Sequence, residues 1–423
     1  MTLFDIGAAL LGLSALFGYI NYRFLRLPHT IGLVVVALVA SAVVVLADSV
    51  ITGLHTGKYI ADVLRRIDFH ETLMNGMLSF LLFAGAVHVD FGALAARKWS
   101  ISLMASFGVL ISTFIIAGAI WALMNALGMA IPLVWALVFG ALISPTDPVA
   151  VLGILKTVHI PRPLEAKIAG ESLFNDGVGV VVFTIMLALA LNATGGGAES
   201  AALDAIGIVR LFLVEAVGGA LLGFAMGYGA YLAMRVIDEH NIEVLITLAL
   251  VAVTYSLALH LHLSGPIAVV VAGLLIGNHG ARFAMSENTR THVFQFWELI
   301  DEILNSVLFL LIGLEVLVVG RDTDHAVIAV LAIPVVLAAR LVSVSIPIML
   351  LSLKQRFTPG AIPILTWGGL RGGISVALAL SLPPGPHTGV IFSMTYAVVV
   401  FSIIVQGLSM KPLVNRLIKP DDT

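Results

Sequence analysis

Apolar runs of about twenty residues follow one another along almost the whole chain, separated by short polar connectors, and few folds can accommodate that pattern. A run of this length as helix matches a hydrocarbon core roughly 30 Å thick. Inside hydrocarbon every peptide group must be satisfied internally, so only helices and closed barrels can span it. Barrel strands alternate polar and apolar residues over about ten positions, and that alternation is missing here. Charged residues make up 11% of the 423 positions, against about 25% in soluble domains. The expected class is an all-α polytopic membrane protein occupying 1–423 as one transmembrane domain in the cell (inner) membrane, with the lipid bilayer as its surroundings and no soluble domain.

The absence of cysteine removes disulfides and thiolate metal sites, and a net charge of −3 gives no reason to expect a nucleic-acid partner. Met1-Thr2-Leu3-Phe4-Asp5 lacks the basic start of a secretory signal, so the first apolar run reads as a retained span. Spans are expected near Leu3 to Tyr22, Ile31 to Ile51, Thr72 to Val89, Ser100 to Leu127, Ile131 to Leu155, Ala166 to Leu191 and Ile206 to Val236. They continue near Ile242 to Leu259, Pro266 to Gly277, Val293 to Val319, Ala326 to Leu353, Ala361 to Leu382 and Val390 to Leu408. These thirteen segments put the two termini on opposite sides. With the N-terminus outside, fifteen of the 22 basic residues fall in inner segments and four (Lys58, Arg65, Arg66 and Arg321) in outer ones. That asymmetry is the positive-inside pattern, and it places the C-terminus in the cytoplasm.

The sixth span carries Gly170-Glu171-Ser172-Leu173-Phe174-Asn175-Asp176-Gly177-Val178-Gly179. Residues four apart stack on one helix face, so Ser172 lies over Asp176 and Glu171 over Asn175 in two adjacent polar stripes. No charge follows from Val178 to Leu191, which puts Asp176 deep in the bilayer. An acid there costs about 2.5–3.5 kcal/mol on insertion scales and is by default a functional residue. The blander alternative is a carboxylate that only caps or pairs.

Two spans should be broken. Pro145 and Pro148 in Ser144-Pro145-Thr146-Asp147-Pro148 remove amide hydrogens and push the preceding residues away from helix. Pro148 suits the first position of a restarted half-helix and Asp147 its N-cap, and capping accounts for Asp147 as well as ion binding does. Trp367-Gly368-Gly369-Leu370-Arg371-Gly372-Gly373 sets four glycines around a buried cation, permitting the twelfth span to unwind. With the seventh span as a linker, two inverted halves of six spans remain, helices 1–6 over about 3–191 and helices 8–13 over about 242–408. Each is broken at its fifth member, and matched interruptions of this kind point to a transporter's binding site.

These motifs, Pro145-Thr146-Asp147-Pro148, Gly170 through Asp176 and Gly368-Gly369-Leu370-Arg371-Gly372, together resemble those of the NhaP-type monovalent cation/proton antiporters, prokaryotic relatives of animal sodium/proton exchangers. Supporting stretches are Phe296-Trp297-Glu298-Leu299 through Gly313-Leu314-Glu315, and Leu82-Phe83-Ala84-Gly85 to His88-Val89-Asp90. The resemblance implies a secondary transporter rather than an enzyme, with no cofactor, exchanging Na+, or Li+, for H+, and a homodimer. It implies that Asp176 binds the proton or the cation, with Ser172 and the backbone of Thr146 as oxygen ligands and Asp147 and Asn175 beside them. Asn175 stands where electrogenic relatives carry a second aspartate, which implies one proton per cation. Glu171 is implied to pair with Arg371. Many relatives have a glutamate where this chain has Ala84, so K+/H+ exchange is the nearest variant.

The chemistry fits that reading. A hard cation needs several oxygens in place of its hydration shell, and broken helices release carbonyls. Leaving water favours a neutral carboxyl and a bound cation favours a charged one, so proton and cation compete for a single group. A cation channel or a sensor is the alternative of a different class, but no carbonyl-ring filter or ligand domain is evident. A hydrolase would need a Gly-x-Ser-x-Gly or His-Glu-x-x-His motif, which the chain lacks. Arg340 is expected to pair with Glu302 or Asp301, and Glu215, Glu298 and Glu315 to be helix-end or interface groups. The glycines from Gly218 to Gly229 should pack helices closely, including at a dimer interface.

Overall fold

The structure, a computed structural model, describes residues 3–51, 57, 60, 72–96, 98–147, 162–193, 205–317, 325–353 and 360–418, which are helical with no strand among them. In chain order the main helices are α1 (Leu3–Ile20), α2 (His29–Val50), α3 (Leu78–Val87), α4 (Val109–Ala126), α5 (Leu133–Ile143), α6 (Arg162–Ala193) and α7 (Ala205–Met234). They continue as α8 (His240–His260), α9 (Gly265–Leu275), α10 (Glu287–Leu314), α11 (Ala326–Ser352), α12 (Ala361–Trp367), α13 (Gly373–Leu380), α14 (Thr388–Phe401) and α15 (Gly407–Leu417). Nine helices among the described residues are long and apolar enough to cross a membrane. Helices α3 and α5 are apolar but shorter. Helix α10 carries Glu287, Arg290, Glu298, Asp301 and Glu302, and α12 and α13 are two pieces of one interrupted segment.

Helix ends are set by local chemistry. Ser264 opens α9 by accepting from the Ile267 amide at 3.4 Å, with Pro266 in the first turn where its missing hydrogen is harmless. Ser286 does the same for α10 through the Thr289 amide at 3.3 Å. Wider π-turns interrupt the regular pitch at Met104–Gly108, Ile276–Gly280 and Ser402–Gln406, the last joining α14 to α15.

The helices sort into two packed groups. Helices α4, α5, α6, α11 and α14 pack on one another and enclose α12 and α13, so both interrupted segments lie in this group. Helices α2, α3, α7, α8, α9 and α10 form the other, where Trp297 is fully buried against Phe83 and donates its indole N–H to the Thr247 hydroxyl at 3.0 Å. The small residues of α7 serve this second group: a side chain at Gly219 or Gly223 would run into the carbonyls of Ser264 and Ala268, so α7 lies on the backbone of α9. Two expected features lie outside the described residues: the half-helix from Pro148 and the end of the fifth span.

Candidate functional site

Helix α5 runs to Ile143 and stops because Pro145 cannot donate a hydrogen bond. Ser144 turns its hydroxyl back onto the Gly140 carbonyl at 2.6 Å, and Thr146 and Asp147 leave helical geometry. Helix α6 then grips Thr146 three ways. The Ser172 hydroxyl donates to the Thr146 carbonyl. Asn175 receives the Thr146 amide on Oδ1 at 3.3 Å and donates from Nδ2 to the Thr146 hydroxyl at 2.8 Å. Both ends of the Asn175 amide are thus committed to the first break.

The second break crosses the first. The Asp147 amide donates to the Leu370 carbonyl at 2.8 Å, tying the two unwound segments backbone to backbone. Arg371 sends Nη1 to the carbonyls of Ser144 and Pro145, at 2.5 and 2.8 Å, at the open end of α5. In return the Asp147 carboxylate lies directly over Gly372, the N-cap of α13, where any side chain would overlap it. Each break therefore supplies a charge to a helix end of the other, a cation at a negative end and an anion at a positive one, which is favourable in both cases. Gly179 of α6 completes the crossing, since a Cβ there would strike the ring of Pro145.

Asp176 is 6% exposed and sits one turn beyond Ser172 on the same face of α6. No hydrogen bond or ion pair holds its carboxylate among the described residues, and Asp147 is the charged neighbour that bears on it. A cavity of about 10 Å³ adjoins the crossing, lined by Thr146, Asp147, Glu171, Ser172, Arg340 and Gly368 among others; Asp176 does not border it. Carbonyl, hydroxyl and carboxylate oxygens thus converge at the crossing, the kind of donor that a hard cation takes.

One implied pairing is corrected. Glu171 Oε1 meets Arg340 Nη1 of α11 at 2.5 Å, and Arg371 makes no ion pair with Glu171 among the described residues. The reason is competition for donors: Arg371 is spent on the orphaned carbonyls of α5, while Arg340 faces Glu171 and also donates to the Leu365 carbonyl near the end of α12 at 3.2 Å. The same geometry corrects the expectation for Arg340, whose partner is Glu171 and not Glu302 or Asp301. Ala84 is 1% exposed in α3 and offers only a methyl group. Sequence reasoning missed Ser402 and Gln406, which contact the second break; two polar residues four apart in the last apolar run were the available signal.

The model of the transmembrane sodium/hydrogen exchanger family matches residues 12–416. The chain belongs to that family. This sodium/hydrogen exchanger family member is 49% identical to the Na(+)/H(+) antiporter NhaP of Pseudomonas aeruginosa, over 98% of this chain and 96% of that one. It is 36% identical to the Na(+)/H(+) antiporter NhaH of Halobacillus dabanensis, over 93% of each. In structure it is similar to the sodium proton antiporter MjNhaP1 of Methanocaldococcus jannaschii at pH 8, with a TM-score of 0.74, 18% identity and coverage of 98% and 99%. These relatives are transporters, not enzymes, and the exchanger described here is a multi-pass helical membrane protein.

Proposed function

We propose that the protein is a secondary antiporter of the inner membrane that exchanges Na+, with Li+ as a substitute, for H+. The observation that carries the reading is the placement of Asp176, a buried carboxylate with no protein partner among the described residues, on the helix face of Ser172 beside two crossing breaks. Family membership and the names borne by the similar proteins point the same way.

In this mechanism Asp176 carries either one proton or one cation. Ser172 and Thr146 contribute oxygens, and Asp147, fixed at the N-terminus of α13, lends negative charge without leaving its helix end. A loaded, neutralised carboxylate crosses and an empty one does not, so each gradient drives the other. Asn175 supports a ratio of one to one, because an amide in that position cannot carry a second proton and is already occupied in holding Thr146. Helices α5 and α12 stand seven elements apart and each ends at a break, which supports two inverted six-span halves around linker α7, thirteen spans in all. The N-terminus is then outside and the C-terminus inside, as the basic residues suggest, and the exchanger works as a homodimer.

K+/H+ exchange is the second reading, favoured by one observation: Ala84 gives the site no carboxylate from α3. Both readings are tested by cation-induced recovery of a preformed pH gradient in everted vesicles, with Na+, Li+ or K+ added and Asp176→Asn as control. Recovery with Na+ and Li+, lost in the variant, is expected; recovery with K+ alone replaces the first reading by the second. No recovery from folded protein with any cation at any pH sinks both.

A further inference from the structure

The second break leaves peptide groups that no helix satisfies, and the last helix supplies the partners. The Ser402 hydroxyl accepts from the Arg371 amide at 2.9 Å and donates to Gln406 Oε1 at 2.8 Å. Gln406 Nε2 in turn donates to the Trp367 carbonyl at 2.9 Å. One unbroken chain of hydrogen bonds thus runs from the last residue of α12 to the first charged residue of the break. Each group in it has one role available: the Gln406 amide can point only one way, because its oxygen must accept and its nitrogen must donate. Ser402 and Gln406 are 0% and 3% exposed, so water cannot take their place readily.

Two further features tie this pair to the site rather than to packing alone. Both residues lie on the π-turn Ser402–Gln406, a wider turn of the kind often found at functional positions. Gln406 also borders a cavity of about 10 Å³ together with Arg340, Gly369 and Arg371, where Arg340 Nε and Arg371 Nη2 have no hydrogen-bond partner among the described residues. The π-turn thus shares this cavity with both arginines that brace the crossing.

We propose that Ser402 and Gln406 are positioning residues for the exchange site. They fix the peptides at Trp367 and Arg371, so that Arg371 stays on the Ser144 and Pro145 carbonyls and Gly372 stays beneath Asp147. Neither touches the ion; both act through the second break on the first, whose Thr146 and Asp147 belong to the proposed site. The proposal rests on the exchange reading given above, and its test separates the two.

The experiment measures Na+-dependent recovery of a pH gradient, per folded molecule, for the intact chain and for Ser402→Ala, Gln406→Met and Ser402→Thr, with Asp176→Asn alongside and thermal unfolding as the check on folding. The net contribution of an ordinary intramolecular hydrogen bond amounts to about a three- to tenfold change in an equilibrium. A rise of that size in apparent Na+ KM is expected for Ser402→Ala and Gln406→Met, with the pH profile displaced, while Ser402→Thr keeps its hydroxyl and wild-type kinetics. Wild-type KM and pH profile in both folded variants overturn the proposal, and so does a fall in folded protein with unchanged kinetics per molecule. Should Gln406→Met not fold, Ser402→Ala decides alone; if neither folds, the pair serves folding and the proposal fails. Exchange that persists in Asp176→Asn overturns the site reading instead, whatever the two variants do.

Discussion

Arg340 of α11 reaches Glu171 of α6 at 2.5 Å, and both groups are almost fully buried. A buried ion pair adds little net stability, but removing one member strands the other charge at a cost of about 3–5 kcal/mol. Glu171→Gln is therefore expected to lower thermal stability by that order and reduce the yield of folded protein. A double-mutant cycle is the sharper test. Glu171 should show strong coupling to Arg340 and weak coupling to Arg371, and the reverse order would contradict the pairing.

Arg371 makes a different kind of contact, two hydrogen bonds from one nitrogen to the carbonyls that end α5. A lysine keeps the charge but carries it as a compact, strongly hydrated ammonium on a flexible stem in place of the rigid guanidinium, so Arg371→Lys is not conservative here. Hydrogen bonds involving a charged group contribute about 1.5–3 kcal/mol, which is the loss of stability expected for Arg371→Gln. Arg371→Lys should lose part of it and should lose turnover more than stability, because the crossing geometry and not the fold is what it disturbs. Thermal unfolding and transport measured on the same preparations check this, and equal wild-type turnover in Arg371→Lys would refute it.

Asn175 holds Thr146 by a donor and an acceptor at once. Asn175→Asp replaces the donor by a second acceptor facing the Thr146 hydroxyl and adds a titratable group next to Asp176. Lower turnover and an altered cation KM are expected, with stability reduced by about 0.5–1.5 kcal/mol, the contribution of an ordinary hydrogen bond. In proteoliposomes the wild-type exchange rate should not respond to an imposed membrane potential. A potential-dependent wild-type rate would exclude the one-to-one ratio.

Local spacing made the main features of this site readable before any coordinates. Ser172, Asn175 and Asp176 share a helix whose pitch fixes their faces, and Pro145 forces the break that brings Thr146 to them. Tertiary choices were not readable in the same way. Glu171 had two buried arginines within the bundle to choose from, and only the demand of the α5 carbonyls for Arg371 decides between them. Ser402 and Gln406 stand out as two polar residues four apart in an apolar run, but the π-turn that carries them has no periodic signature and nothing in the spacing names the Trp367 and Arg371 peptides as their partners. The small residues of α7 announced close packing correctly, but the sequence does not say that their neighbour is α9 of the same chain.

The pH dependence of cation affinity tests the role of Asp176 most directly. If proton and cation share one carboxylate, only the deprotonated fraction can bind the cation, and apparent affinity scales with that fraction. Apparent Na+ KM should therefore rise about tenfold for each unit of acidification once protons dominate the site, with maximal rate little changed when Na+ is saturating. At high pH the KM should level off while the rate falls, since the return step needs a proton that has become scarce. Ser172→Ala removes an oxygen that does not titrate, so it should raise KM at every pH and leave the bend of the profile in place. Asp176→Asn should abolish exchange and still fold, because the carboxylate it replaces has no ion-pair or hydrogen-bond partner to strand among the described residues. A KM that stays flat across acidic pH in the wild type would mean that proton and cation occupy different groups, and Asp176 could not be the point of competition.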